Sequence, residues 1–236
     1  MLLQIPTGPL LWLPLTLAGY LLAVRAQAWC HSNPLLNPTL VTLLAIAALL
    51  EVTGTPHRVY LEGVAILDYL LGACVVALAV PLHGLLARFG ARTLLYLPAL
   101  VLGSLVSVGL GLAVATSLGV SATGLATAAP KSATTAVSME IARMIGGVPA
   151  LTALLTIASG ILGAVVGPSL LSVTGATSPA ARGIAYGTAS HGIATARAFT
   201  EDEETGAWST LAMCLNALLT AAFVPMVFVL LEVLVR

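Results

Sequence analysis

The sequence predicts an all-α, polytopic membrane protein: a single transmembrane domain of about seven to eight membrane segments with broken or re-entrant helices and an internal repeat. Three observations predict it. Hydrophobic residues make up 59% of the chain and charged residues 8%, against roughly 25% charge in a soluble domain. Mean hydropathy is +1.06. The apolar mass is Leu, Ala and Val with 5% aromatics, without the ten-residue alternating segments of a β-barrel. A crossing takes roughly 20 residues, so a chain of 236 has no room for a soluble domain.

Apolar runs free of charge mark the segments in order. The first spans about 8–28; it carries no basic run ahead of it and is expected as a retained helix rather than a cleaved leader. The second spans about 34–50. A polar linker, "EVTGTPHRVYLEG" (51–63), precedes the third at about 64–86, which holds Asp68 near one end. "ARFGAR" (87–92) is a basic turn, and the fourth segment runs over about 93–118. The fifth (about 121–145) contains "APKSATTAVS". The sixth (148–173) is apolar with Gly160, Gly163 and Gly167 spaced for close helix packing. The seventh (182–199), "RGIAYGTASHGIATARAF", has few large apolar residues and is expected away from lipid. "TEDEETG" (200–206) reads as an acidic loop, and the eighth segment (208–234) closes the chain. Arg88 and Arg92 mark their turn as cytoplasmic. Whether the fifth segment crosses fully or re-enters decides the rest; re-entry, slightly preferred, places the acidic loop outside and Arg236 inside.

Net charge is zero, and no basic patch interleaved with aromatics points to nucleic acid. Cys30, Cys74 and Cys214 lie far apart in or beside apolar runs and read as buried small hydrophobes. His31, His57 and His83 are scattered, so no metal site and no cofactor is expected. No nucleophile–base pair is visible, so an enzyme is not expected. Two halves, about 8–118 and 121–236, resemble each other weakly. "LGACVVALAVPL" (71–82) overlies "YGTASHGIATAR" (186–197), and "LLNPTLVTLLAIA" pairs loosely with "AAPKSATTAVSMEIA", each with an early proline. Paired Gly/Pro-interrupted segments point to a substrate site in transporters.

The polar residues of segments five and seven carry the chemistry. A lysine at bilayer depth costs about 2.5–3.5 kcal/mol, and proline breaks a helix interior; both are tolerated beside a cavity or inside protein. Pro130 is expected to end one short segment, and Lys131 or Ser132 to start a helix that stops at Gly146-Gly147. Its free N–H groups, the Lys131 ammonium and the hydroxyls of Ser132, Thr134 and Thr135 would form an anion pocket that suits a small carboxylate. In segment seven, Thr188, His191 and Thr195 fall on one helical stripe, with Ser190 beside it. Gly187 and Gly192 would let the helix unwind or approach another backbone. His191 is a donor to a substrate oxygen or a proton carrier, and Glu140 is the second candidate for proton coupling. Glu140 and Arg143 are spaced to pair on one face.

"PLLNP", "VALAVPL", "APKSATTAVSMEIARMIGG" and "ARGIAYGTASHGIATARAF" together resemble the LrgB/CidB (YohK-type) family of membrane proteins, over nearly the whole chain from about residue 34. The matching positions are Pro130, Lys131, Ser132, Thr134, Thr135, Met139 and Glu140, then Gly187, Ser190, His191 and Thr195. The chain departs from the family pattern at Ala73 and Val75, where Pro and Thr are usual, and at Ala136. The resemblance implies an integral protein of the bacterial inner (plasma) membrane. It also implies one of two functions. Plastid relatives export glycolate and glycerate, which suggests a secondary transporter of small monocarboxylates (glycolate, glycerate, lactate or pyruvate), with the carboxylate on Lys131, Ser132, Thr134 and Thr135 and its other oxygens on Thr188, Ser190, His191 and Thr195. Other bacterial members are described as antiholin-like modulators of autolysis, partnered by a small LrgA/CidA-type membrane protein. Expected partners are therefore the carboxylate, membrane lipid, that membrane protein and a second copy in a homodimer, and no nucleic acid. The buried lysine and the polar helix favour transport as the sequence's expectation.

Overall fold

The computed structural model describes the backbone of residues 9–30, 33, 36–77 and 79–235. Side chains at 9, 68, 71, 72, 74, 75, 81, 82, 92 and 231–235 lie outside the described residues, and the expectations for Asp68, Cys74 and Arg92 fall there. The described regular structure is helical: a 3-10 turn at Pro9–Leu11, then α1 (Trp12–Trp29), α2 (Pro38–Thr53), α3 (His57–Ala77), α4 (Ala79–Phe89), α5 (Ala91–Ser117), α6 (Ala122–Ala128), α7 (Thr135–Met144), α8 (Pro149–Val173), α9 (Pro179–Glu201) and α10 (Glu203–Val235). Among the described residues, Thr93–Ser117, Pro149–Val173 and Glu203–Leu230 are long and apolar enough to cross a membrane. The chain is an integral membrane protein.

The chain divides into two compact units, residues 1–74 and 75–236. In the first, Asn37 caps α2 by accepting from the Leu40 N–H at 3.1 Å, with Pro38 at the first helical position. Proline fits there because its missing N–H has no intrahelical partner anyway. Trp12 is fully buried and meets Tyr60 edge-on, ring centroids 5.7 Å apart. The polar linker expected at 51–63 shrinks to Gly54–Pro56. Gly54 ends α2 in the left-handed region at φ 62°, and α3 already starts at His57, its exposed first turn carrying the i, i+4 pair Arg58–Glu62 at 3.0 Å.

The second unit is organised around α8. Segment five is two short helices, α6 and α7, folded into a hairpin. Val148 N–H donates to Thr127 Oγ1 at 3.0 Å, and Thr152 Oγ1 donates to the Thr127 carbonyl at 2.9 Å. The end of α7 thus returns beside α6 at the start of α8. Gly147 permits that return, since a Cβ there would lie 2.8 Å from the Ala126 carbonyl.

Segment seven is a second hairpin. Its backbone leaves helical geometry at Ser190 (φ −143°, ψ 15°) and His191 (φ 43°, ψ −139°). Arg182 and Glu201 are 19 residues apart, which a straight helix would separate by about 28 Å. Instead Arg182 Nε and Nη2 contact Glu201 Oε2 at 2.9 and 2.8 Å, and Tyr186 donates its hydroxyl to Glu201 Oε1 at 2.6 Å. The arms 179–189 and 192–201 therefore run antiparallel, with Tyr186 packed on Ala194 and Ala198.

The α6–α7 hairpin begins at the first end of α8, and the α9 hairpin at the other. They enter from opposite sides, and their tips meet along the middle of α8. The expected acidic loop is reduced to Asp202, which joins α9 to α10 and caps α10. Arg88 lies 3.9 Å from Glu203, so the basic turn and the acidic link share one side. The expectation that re-entry of the fifth segment sets the basic turn and the acidic loop on opposite sides is therefore corrected: the two lie together.

Candidate functional site

The site is built where the hairpin tips converge on α8, α5 and α10. At the first tip, residues 129–134 are non-helical. The Pro130 carbonyl accepts from the Ala133 N–H at 3.0 Å and from Ser138 Oγ at 2.7 Å, which closes the turn and delays the helix. Hence α7 starts at Thr135, with Thr134 in the cap position, and not at Lys131 or Ser132 as expected. The fully buried Asn216 of α10 donates to the Ser132 carbonyl at 2.7 Å and accepts from Ser104 Oγ of α5 at 2.6 Å.

At the second tip, three helices are touched by three side chains. His191 Nε2 is 2.8 Å from the Thr156 carbonyl of α8; a carbonyl only accepts, so Nε2 carries the proton and Nδ1 is the ring's acceptor. Thr195 Oγ1 donates to the His191 carbonyl at 2.7 Å and shares a 2.8 Å hydrogen bond with Ser209 Oγ of α10. Thr188 Oγ1 donates to the Ile184 carbonyl at 2.7 Å and faces Gly103 of α5. The expected single stripe of Thr188, His191 and Thr195 is thus split, because the helix turns back between them.

Gly187 stays helical and lets α10 approach: a Cβ there would lie 2.7 Å from Ala212 Cβ. The interruption falls at Ser190–His191, immediately before Gly192. Gly160 and Gly163 of α8 make room for it. A Cβ on Gly160 would lie 2.8 Å from His191 Cε1, and one on Gly163 would overlap the Ser190 side chain.

The tips are joined through α8. Ser159 Oγ reaches the Lys131 carbonyl at 3.3 Å and the Thr156 carbonyl at 2.9 Å, and the latter also accepts from His191. Around this seam the hydroxyls of Ser132, Thr134 and Thr156 are buried with no hydrogen-bond partner among the described residues. Each such group costs about 1–3 kcal/mol while it stays unpaired. Thr135 is half-buried at the start of α7. The Lys131 side chain leaves the seam and lies against Gly111 of α5. Glu140 does not join the tips; it pairs with Arg143 at 3.0 Å with both side chains about half exposed.

Asn216 and Ser159 were missed in the sequence. A carboxamide inside the apolar run "AMCLNALLTAAF" was the available signal, since polar groups at membrane depth mark interior-facing positions. Ser159 gave none, because serine bonds its own helix at little cost.

No solved structure matches the chain. Residues 16–230 match the model of the LrgB-like family. The chain is 32% identical over 216 residues to the holin-like protein CidB of Staphylococcus epidermidis, covering 92% of this chain and 94% of that one. It is 32% identical over 221 residues to the holin-like protein CidB of Staphylococcus aureus, covering 94% and 96%. It is 33% identical over 213 residues to the protein YxaC of Bacillus subtilis, covering 90% and 92%. With a family match over most of its length and relatives aligned nearly end to end, the chain belongs to the LrgB-like family.

Proposed function

We propose that the chain is a holin-like membrane protein that modulates murein hydrolase activity and autolysis together with a small LrgA/CidA-type membrane partner. The observation that carries this is the end-to-end similarity to two proteins named holin-like CidB; it supports this reading better than carboxylate transport. The test is deletion and complementation in the source bacterium, with autolysis followed by turbidity loss and partner capture by crosslinking in membranes. An unchanged lysis rate in the deletion strain sinks the reading.

A second reading, transport of a small monocarboxylate by alternating access, is favoured by a specific observation. Two broken segments meet along α8 around three unpartnered hydroxyls, an arrangement that fits a solute site and that a hole-forming oligomer does not require. Ser132, Thr134 and Thr156 would receive the substrate oxygens, His191 would supply Nδ1, Lys131 would swing from its place against Gly111 to the carboxylate, and a homodimer would house two such sites. Proteoliposomes separate the readings. Saturable uptake of labelled glycolate or pyruvate without release of a trapped dye supports transport; dye release without saturable uptake supports the holin-like reading. Wild-type uptake by both Lys131→Ala and His191→Ala would remove the site from the transport reading.

A further inference from the structure

Lys131 opens onto a groove of about 700 Å³ bordered by α5, α6 and α8. Its walls are aliphatic: Val114 from α5 and Leu118 just after it, and Leu151, Leu154 and Leu155 from α8. The groove follows α6 from Ser121 at the base of the first hairpin to Lys131 at its tip, about 10 Å along a seven-residue helix. Three hydroxyl residues line the way: Thr123 lies in the first turn of α6, toward the base and away from Lys131, and the other two are engaged within the protein. Ser121 Oγ accepts from the Gly124 N–H at 3.3 Å. Thr127 Oγ1 donates to the Thr123 carbonyl at 2.7 Å and accepts from the Val148 N–H at 3.0 Å. Among the described residues no carboxylate pairs with the Lys131 ammonium. The groove therefore presents one cation at the inner end of an apolar trough.

We infer that this groove binds a free single-chain carboxylate with an aliphatic tail, a medium-chain fatty acid anion, its carboxylate on Lys131 Nζ and its tail between α5 and α8. The charge is set by the single ammonium, and the tail by the walls. A small hydroxy or keto acid lying in the groove would leave its second polar group unpaired against leucine and valine, whereas an alkyl chain buries its surface there. The inference shares its Lys131 anchor with the transport reading and rests on that reading for the anionic group. It stands apart from it in the assay, because binding is read without translocation.

The experiment uses the full chain in phosphatidylcholine nanodiscs with dansyl-labelled undecanoate as the fluorescent probe. Octanoate is expected to displace the probe, and glycolate and octanol to need at least about tenfold higher concentration. Lys131→Gln is expected to weaken probe binding about tenfold or more, and Lys131→Arg to restore most of it. Ala115→Trp, which fills the groove without touching the charge, is expected to abolish binding and serves where Lys131→Gln fails to fold. Equal binding by wild type and Lys131→Gln, or displacement by glycolate as readily as by octanoate, overturns the inference. So does displacement by added phosphatidylglycerol but not by octanoate, which would assign the groove to a lipid. If octanoate fails to bind while glycolate uptake still depends on Lys131, the groove inference falls and the transport reading stands.

Discussion

The two hairpins of the second unit solve the same problem, a chain reversal beside α8, in opposite ways. The α6–α7 hairpin turns through an open loop at 129–134 and leaves the Ser132 and Thr134 hydroxyls without partners. The α9 hairpin turns through Ser190–His191 alone, and its tip side chains are engaged: His191 on Thr156, Thr195 on Ser209. Its base is closed by Arg182, Tyr186 and Glu201. The loose tip leaves hydrogen-bonding capacity unused, while the tight tip has invested its own in packing. Stability and ligand response should therefore separate, with the α9 hairpin governing the first.

The largest expected effect comes from closing the space the tight tip occupies. Gly163→Val would drive a side chain into Ser190, an overpacking with no flexible neighbour to yield, and should cost about 3 kcal/mol or more. Loss of monodisperse protein on size exclusion in detergent is the readout. Gly109→Ala is the control, since nothing lies within 4 Å of a Cβ there; it should be neutral or stabilising by about 0.5 kcal/mol. Equal behaviour of the two variants would mean that α8 does not carry the α9 tip.

The next effect tests the reversal itself. Arg182 and Glu201 are each only 17% exposed, and removing one partner of such a pair costs about 3 kcal/mol. A double-mutant cycle with Arg182→Met and Glu201→Met should give a coupling of roughly 1–3 kcal/mol in thermal melts. A continuous helix would hold the two side chains about 28 Å apart, and the cycle would then return no coupling.

A smaller effect sharpens the comparison at one residue. His191 is the one non-glycine with positive φ among the described residues, at 43°, a conformation that costs about 1–3 kcal/mol. His191→Gly removes that strain together with the Thr156 bond, so its melting temperature should stay near wild type. His191→Ala loses the bond and keeps the strain, and should be about 2 kcal/mol less stable than the glycine variant. The reverse order would place the tip in a relaxed backbone.

Much of this was legible in the sequence, and the reason differs by element. Composition set the class because lipid burial demands apolar helices. "APKSATT" announced a break because proline and lysine are both costly at depth, and Gly160, Gly163 and Gly167 announced close packing. The α9 reversal was not legible. "YGTASHGIATAR" has no proline, and its glycines at 187 and 192 flank the turn without making it. What folds the segment back is an ion pair between residues 19 positions apart, with room made by glycines on another helix. Periodicity within one segment cannot register either. Pro38 and Pro130 show the same limit: each comes early in one of two loosely paired stretches, yet one starts a helix behind Asn37 and the other sits at a hairpin tip.

The smallest effect lies at the base of the tight hairpin, in solvent. Asp202 caps α10, with Oδ2 accepting from the Thr205 N–H at 2.9 Å and the Thr205 hydroxyl at 3.1 Å. The Thr205 N–H, opposed by a little desolvation and aided by the Thr205 hydroxyl and the N–H groups of Glu204 and Glu203, holds the carboxyl below its ordinary value. A carboxyl depressed in the fold binds its proton more readily when unfolded, so the cap's contribution is complete above the unfolded pKa of about 3.9. It is lost as pH falls through the lower, folded value. Asp202→Asn keeps a capping oxygen and removes the charge, which isolates this contribution. Thermal melts of wild type and Asp202→Asn should differ by a small, constant amount near neutral pH, and the gap should close only below about pH 4. A gap that closes at higher pH would mean that the Asp202 carboxyl is not held by the first turn of α10, and that the link between the tight hairpin and α10 is made elsewhere.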